Sequence, residues 1–311
     1  MPHQGPTRIS RALSNISVKY TNEDYIFPKV FTETPVVHDT DSFWVYNSEF
    51  RLPETVRANG SPANMATWEA STATYVVQEH ALKDVITDTD RDNTEAPLDL
   101  EKDTTEYLTD KILLRQEYEA MRLLFTTTSF STNATLTTAT SWDYNATTTS
   151  APIQNALSAT GAIIQNSGMR PNKMVMGWEV FEALKENNNV YGRIQYVERA
   201  IITEEILASV FDVPNLYVGT SVYDQAKEGA TASQTFLWGD DCVIGYFNPL
   251  PGRKKVTAAT VFRVAKKGTP YRVKKWYEED IEGTFVEVQT KFQFRAVATS
   301  AAFLFKACTL V

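Results

Sequence analysis

A stripe of large apolar side chains predicts one long helix between Leu98 and Phe125. The members of the stripe recur at steps of seven, four and three, and they are Leu100, Tyr107, Leu114, Tyr118, Met121 and Phe125. Pro97 precedes the segment, and acidic residues such as Asp99 and Glu101 place negative charge in its first turns, where the helix dipole favours it. At about 1.5 Å per residue the helix would be roughly 40 Å long, so we expect a structural spine.

Strict alternation of apolar and polar residues near the end of the chain predicts an unusually long strand. The apolar positions are Val286, Val288, Phe292, Phe294, Ala296 and Ala298, and the polar positions between them include Glu287, Gln289, Lys291, Gln293 and Arg295. A period of two residues predicts a half-buried strand with one apolar and one polar face.

Two shorter β segments, residues 42–47 and 72–78, are rich in aromatic and β-branched side chains. About two dozen residues with prolines and glycine separate them, which is uncommon in a compact domain unless the connection is functional. We therefore expect a long, two-armed loop. The chain before these segments has the character of an extended arm, with one or two helical turns around Arg8–Val18.

Helical and strand patterns alternate in the second half of the chain. A threonine-rich tract at residues 126–149 precedes this half and is expected to be a flexible or weakly β loop. Helices are predicted at residues 153–166, 178–186 and 203–211, and strands at residues 173–177, 216–218, 235–238 and 243–247. With the long helix and the long strand, this pattern predicts an α+β fold.

Composition excludes several classes of protein. The chain has 311 residues, of which 43% are hydrophobic and 22% charged, as in globular rather than disordered proteins. No apolar run reaches the ~18 residues of a membrane span, and the first residues lack the apolar region of a secretory signal. Two cysteines, Cys242 and Cys308, are expected to be buried, reduced thiols.

Charge is unevenly distributed along the chain. Residues 79–119 contain 13 acidic and five basic side chains, whereas residues 251–275 contain nine basic side chains and no acidic one. One interpretation is that these stretches form complementary patches that meet on neighbouring copies of the chain. The alternative, ordinary solvated loops of mixed charge, stays open. The formal net charge of −8 argues against a chain covered in positive charge for nucleic-acid binding.

Motifs that would indicate catalysis or cofactor binding do not occur in the sequence, so we expect no catalytic, cofactor or metal site. The glycine-rich phosphate loops and the G-x-S-x-G nucleophile motif are missing, and the three histidines lie far apart. Asp88, Asp90 and Asp92 are spaced like the start of a calcium loop. However, Asn93 replaces the glycine at the sixth position and Asp99 replaces the bidentate glutamate at the twelfth. A solvated acidic turn is the favoured interpretation of this segment.

Four stretches of the chain resemble the major capsid proteins of tailed bacteriophages with the Hong Kong 97-type fold. They are ISVKYTNEDYIFPKVF (16–31), APLDLEKDTTEYLTDKILLRQE (96–117), RPNKMVMGWEVFEALKENNNVYGRIQY (170–196) and VPNLYVGTSVYDQAKEG (213–229). The resemblance covers residues 16 to about 246 and weakens in the threonine-rich tract and after Pro249. It implies a structural protein that builds an icosahedral head shell around double-stranded DNA.

The resemblance also implies a division of the chain. Its parts would be an N-terminal arm (1–43), an extended E-loop (44–78), a peripheral domain with the spine helix and the threonine-rich loop (79–152), an axial domain (153–247) and a return to the peripheral domain through the long strand (248–311). In the prototype of the fold, an E-loop lysine bonds covalently to a neighbouring subunit. No lysine lies between Lys29 and Lys83, so we expect a shell without that cross-link.

Partners follow from the resemblance as expectations. The chain would form hexamers and pentamers in the host bacterial cytoplasm and end in the virion, with a portal, a possible decoration protein and DNA held without sequence-specific contact. Because the sequence begins directly at the arm, a separate scaffolding protein is expected. Two alternatives stay open: the shell of an encapsulin-type nanocompartment, and a phage tail or adhesion protein.

Contacts between subunits are expected at two places. The first is the E-loop, whose aromatic side chains supply large buried area per residue; its candidates are Trp44, Tyr46, Trp68, Arg51 and Arg57. Burial of Trp44 within its own subunit is the alternative. The second is the basic stretch, whose candidates are Arg253, Lys254, Lys255, Lys266 and Lys267.

Overall fold

The computed structural model describes residues 25–46, 50, 52–66, 70–94, 99–143, 149–195, 202–227, 229–250, 256–264 and 270–309. The helical turns predicted around Arg8–Val18 lie outside these residues. The helices within them are α1 (Phe27–Val30), α2 (Asp88–Asp92), α3 (Leu100–Leu124), α4 (Pro152–Ser167), α5 (Trp178–Glu186), α6 (Asn188–Ile194) and α7 (Glu204–Val210). The predicted helices at 153–166, 178–186 and 203–211 are confirmed as α4, α5 and α7.

The strands of the described residues belong to two sheets and two ribbons. They are β1 (Glu33–Val36), β2 (Thr40–Tyr46), β3 (Ala70–Val76), β4 (Gln78–Thr87), β5 (Thr132–Thr135), β6 (Lys173–Gly177), β7 (Asn215–Gly219), β8 (Val222–Asp224), β9 (Gln234–Phe236), β10 (Cys242–Gly245), β11 (Ala259–Val264), β12 (Tyr271–Glu278), β13 (Gly283–Ala296) and β14 (Ala302–Lys306). Every strand predicted from the sequence has a counterpart here. Strands β1, β4, β8, β11, β12 and β14 were not predicted.

The first sheet is built around the long strand β13. Its order is β1-β11-β13-β12, and β4 also pairs with β13. Residues 283–290 of β13 are paired with β12 on one side and with β4 on the other. Thr284 and Thr290 lie on the predicted apolar face and are buried with it, and Phe285 and Gln289 on the opposite face are buried as well. The prediction of a half-buried strand was therefore right for one face and incomplete for the other.

The second sheet has the order β5-β14-β10-β6-β7. Strand β5 lies in the threonine-rich tract and runs parallel to β14, so part of that tract is β structure, as the sequence indicated. Helices α4, α5 and α7 pack their apolar faces on this sheet. Cys242 and Cys308 are buried in the same core as free thiols, and burial raises the pKa of both well above its usual value.

Helix α3 is the predicted spine, and it lies against β13 and β4. Asp99 caps its first turn by accepting a hydrogen bond from the backbone N–H of Lys102 at 3.3 Å. The fully buried apolar row differs from the predicted stripe, because it consists of Leu108, Ile112, Ala120 and Leu124. In the predicted stripe, by contrast, Leu114, Tyr118 and Met121 are only partly buried and Tyr107 is 49% exposed. The helix therefore has a second apolar side that is more exposed to solvent than the buried row.

His80 on β4 makes stability sensitive to mild acid. Its ring stacks on Phe292 with centroids 4.2 Å apart. Burial, and then the Arg115 guanidinium, lower the pKa of His80 below its usual 6.5, while Glu119 opposes them. The unfolded chain therefore binds more protons at this position, so acidification through about pH 6.5 favours unfolding. We expect the free energy of unfolding to fall over this range, and less steeply in His80→Gln; equal pH slopes in urea titrations would contradict this.

Candidate assembly surface

Strands β2 and β3 form a ribbon that projects from the first sheet and corresponds to the predicted two-armed loop. Phe43 and Tyr75 anchor its base. The Tyr75 ring stacks on Phe262 of β11 with centroids 4.5 Å apart, and Phe43 lies 5.4 Å from the same ring. A two-stranded ribbon is marginal by itself, so this aromatic contact, together with the hydrogen bond from the Val76 backbone N–H to Gln293, fixes the ribbon to the body.

The loop between β2 and β3, which we call the tip loop (residues 50–66), exposes large apolar side chains. Leu52 is 93% exposed and Met65 is 92% exposed, and Phe50 and Val56 are also exposed. Apolar side chains concentrated on one projecting loop mark an interaction surface rather than a packing position. Their burial against another chain would stabilise an assembly by about 1.5–3 kcal/mol for each Leu or Met side chain.

The sequence-predicted contact residues are only partly placed by the structure. Trp44 lies on β2 with 49% of its surface exposed, so its own subunit does not bury it completely. Arg57 is exposed in the tip loop. The backbone of Tyr46 ends β2. The remaining candidates lie outside the described residues, and they are Arg51, Trp68, Arg253, Lys254, Lys255, Lys266 and Lys267.

The two charged stretches meet in part within one chain, a contact that the sequence analysis did not predict. Lys275 at the end of the basic stretch forms an ion pair with Glu101 on α3. Arg91 reaches the same carboxylate, with its Nη2 3.1 Å from Oε1 of Glu101. The physical reason is the pairing of β12 with β13, which brings Lys275 to the sheet face that α3 covers. Whether the rest of the basic stretch pairs between subunits stays a prediction.

Asp88, Asp90 and Asp92 form the helical turn α2 and not a calcium loop. Asp88 accepts a hydrogen bond from the Tyr277 hydroxyl at 2.8 Å, and Thr87 caps the turn by accepting from the backbone N–H of Asp90. Within the described ranges, no three His, Cys, Asp or Glu side chains come together in a group that could hold a metal ion. None of the helices in those ranges combines the length and apolar character needed to cross a bilayer.

Glu117 joins the arm to the body, a role that the sequence analysis missed. This carboxylate is fully buried on α3. One oxygen accepts the N–H groups of Ile26 at 3.0 Å and Trp238 at 2.7 Å, and the other accepts the backbone N–H of Phe27 at 2.9 Å. The backbone donors belong to the first turn of α1, so Glu117 satisfies groups that would otherwise lack a partner. A charged residue at the helical spacing of buried apolar residues was the signal available.

Lys173 holds the other end of α1. Its ammonium donates to the carbonyl oxygens of Lys29 at 2.7 Å and Val30 at 2.8 Å, and burial lowers the pKa of the Lys173 amine. The carboxylate at the start of α1 and the ammonium at its end both match the helix dipole. Because Glu117 lies on α3 and Lys173 lies on β6, this short helix ties the arm to both halves of the molecule.

Comparisons with known proteins agree on one family. The sequence profile of phage major capsid protein E matches residues 123–292, which is more than half of the chain. The major capsid protein of Burkholderia phage BcepMu is 26% identical to this chain over 267 residues, which are 84% of this chain and 85% of that protein.

Solved structures give the fold. A phage-related protein from Bordetella bronchiseptica has a TM-score of 0.73 at 20% identity, covering 94% of each chain. The capsid structure of the cyanophage P-SCSP1u has a TM-score of 0.62 at 10% identity, covering 93% of this chain and 90% of that one. The predicted α+β, Hong Kong 97-type fold is thereby confirmed. The chain belongs to the phage major capsid protein E family and is a structural protein of the phage capsid shell.

Proposed function

We propose that copies of this chain assemble as hexamers and pentamers into an icosahedral head shell that encloses double-stranded phage DNA. The observation that carries the proposal is the exposed apolar tip loop of a capsid-family chain. Leu52 and Met65 have almost no contact with their own subunit, and identical neighbours supply a surface that can cover them. Contacts of this head-to-tail kind close into rings and shells when the rotation between copies allows it.

The architecture suits a shell that places one chain in slightly different environments. Helix α3 and the sheet around β13 supply a stiff body, while the tip loop and the arm supply contacts that can adjust. The free energy of each contact between subunits can be moderate, because many contacts are made at once and their effects on the assembly equilibrium multiply. The division into arm (1–43), E-loop (44–78), peripheral domain (79–152), axial domain (153–247) and returning segment (248–311) is part of this proposal.

The partners of the proposed shell are a separate scaffolding protein, a portal and in some particles a decoration protein. Assembly would take place in the cytoplasm of the host bacterium. DNA would be enclosed without sequence-specific contact, since affinity for phosphate needs no base readout. We propose no enzymatic role for the chain.

Electron microscopy of the expressed chain tests the shell directly. Negative-stain images should show closed particles when the scaffolding protein is co-expressed, and images of the chain expressed alone show whether a shell can close without it. Particles isolated from infected cells should have an absorbance ratio dominated by DNA at 260 nm. Particles filled with protein cargo would instead favour an encapsulin-type compartment, and a chain that stays monomeric or trimeric would favour a tail or adhesion protein.

A double change in the tip loop should abolish assembly and leave the fold intact. In Leu52→Asp/Met65→Asp, two apolar contacts worth about 1.5–3 kcal/mol each are replaced by charges, so we expect at least about a hundredfold loss of particles. The melting temperature of the unassembled subunit should not change, because both side chains are exposed. Asn59→Asp, an exposed polar position in the same loop, serves as the control and should assemble normally. Normal particle yield from the double variant would contradict the proposed role of the loop.

A further inference from the structure

The tip loop contains a tight turn at Ala58–Ser61. The backbone N–H of Ser61 donates to the carbonyl oxygen of Ala58 at 3.1 Å, and the Ser61 hydroxyl donates to the same oxygen at 2.8 Å. Of the two central residues, Gly60 has a positive φ of 85° and Asn59 does not. A hydrogen bond from the fourth residue to the first, with a positive φ only at the third, defines a type II turn.

Asn59 and Gly60 form a dipeptide that is prone to an intramolecular reaction. The backbone nitrogen that follows an asparagine can attack the side-chain Cγ and close a five-membered ring, and the attack is effectively unimolecular because one chain holds both groups. A side chain on the residue that supplies the nitrogen obstructs the approach, and glycine has none. Asn59 is the only asparagine in the sequence that a glycine follows.

The fold leaves the reacting groups accessible. Both Asn59 and Gly60 are exposed, and a Cβ built at Gly60 would meet nothing within 4 Å. The hydrogen bond of the turn uses the N–H of Ser61, and the N–H of Gly60 donates to no other residue in the described part of the chain. Water and base therefore reach the Gly60 nitrogen, and no hydrogen bond of that N–H has to break before the attack.

We propose that Asn59 is a modification site at which the tip loop deamidates spontaneously. The Gly60 nitrogen loses its proton to solvent base and attacks Cγ of Asn59. The new N–Cγ bond forms as the Cγ–Nδ2 bond breaks, and ammonia leaves a cyclic imide behind. Water then opens the imide by breaking one of its two C–N bonds. Water is the only co-reactant, and nothing is oxidised or reduced.

The two products of ring opening have different effects on the turn. Opening at Cγ gives aspartate, which keeps the course of the backbone and adds one charge at an exposed position. Opening at the backbone carbonyl carbon gives isoaspartate, which adds one carbon atom to the main chain between residues 59 and 60. The type II turn cannot keep its geometry with this longer backbone. The turn lies between Leu52 and Met65, so isoaspartate changes how the loop presents these two side chains.

Mass spectrometry of the unassembled chain, incubated in mildly alkaline buffer, tests the modification. The peptide that contains Asn59 should gain the mass difference between an amide and an acid, and a protein isoaspartyl methyltransferase should methylate part of the product. The rate should rise with pH, because the attacking nitrogen must lose its proton. Asn59→Gln should show no such conversion, since attack on the longer side chain has to close a six-membered ring.

Asn166 is the control within the same chain. It is also exposed, but the residue after it is Ser167, whose backbone belongs to the last turn of α4. Attack at Asn166 therefore requires local opening of the helix and has to pass the Ser167 side chain, so conversion at Asn59 should be at least about tenfold faster. Equal rates at the two asparagines, or no conversion at Asn59, overturn the proposal.

The effect of the modification on assembly rests on the proposed function. Subunits aged before assembly should give fewer particles than fresh subunits, in proportion to their isoaspartate content, whereas aged Asn59→Gln subunits should assemble as well as fresh ones. Equal yields from fresh subunits and from aged, isoaspartate-rich subunits overturn this effect. The conversion at Asn59 is measured on the unassembled chain, so a failure of the proposed shell and a failure of the modification give different results.

Discussion

Glu117→Ala should lower the free energy of unfolding by about 3–5 kcal/mol, because it removes the acceptor of three buried N–H donors. The donors of Ile26, Phe27 and Trp238 would then lie in the protein interior without partners. We expect the region around α1 to detach first, since its first turn depends on this carboxylate. Chemical denaturation gives the free energy, and hydrogen exchange at Ile26 and Phe27 locates the loss.

Two further substitutions separate the effect of Glu117 from a general effect of charge. Glu117→Gln keeps the shape of the side chain but points an amide N–H₂ at one of the donors. This variant should therefore be less stable than the unaltered chain and more stable than Glu117→Ala. Glu119→Ala removes a partly exposed carboxylate one turn from Arg115 and should change stability by less than about 1 kcal/mol. A Glu117→Ala chain as stable as Glu119→Ala would show that the buried carboxylate does not hold α1.

Gly177→Ala adds one methyl group and should lower the free energy of unfolding by more than about 4 kcal/mol. We expect no other added methyl group in the described chain to be more destabilising. A Cβ at position 177 would lie 1.8 Å from the carbonyl oxygen of Gly239, and a backbone oxygen cannot move aside as a flexible side chain can. The position joins β6 to α5, so a shift would disturb the core of the second sheet. Poor expression or a molten chain is the expected observation.

Gly161→Ala is the matched control for this position. Gly161 lies in the middle of α4, where an added Cβ meets nothing within 4 Å. Alanine should there raise the free energy of unfolding by about 0.5–1 kcal/mol, because it reduces the entropy lost on forming the helix. Similar stability of the two variants in urea would show that Gly239 does not constrain the packing at Gly177.

Local patterns in the sequence predicted the main elements well. The bounds of α5 and β6 match the prediction residue for residue, because a short apolar run followed by a helical period leaves little ambiguity. Helix α3 and strand β13 were also evident, since each keeps one period over many residues. Whether these elements are helices or strands depends mainly on residues that are close to one another in the sequence.

Contacts between distant parts of the chain were not predictable in the same way. Glu117 meets residues 26 and 27, about ninety positions earlier in the chain; its helical spacing among buried apolar residues was a signal of burial but could not identify these partners. The same holds for Lys275 and Glu101, whose pairing depends on the register of β12 with β13. The long loop between two strands suggested that Leu52 and Met65 are exposed. The fraction of each side chain that is exposed could be known only from the folded structure.

The pairing of β13 on both edges decides how the subunit can change shape. Sliding this strand by one residue would turn every inward side chain outward and would break two ladders together. The sheet is therefore expected to rotate as one rigid unit and not to change its strand register. Any flattening or swelling of a curved shell built from such subunits then has to be accommodated in the connections that lead to the ribbon and the arm.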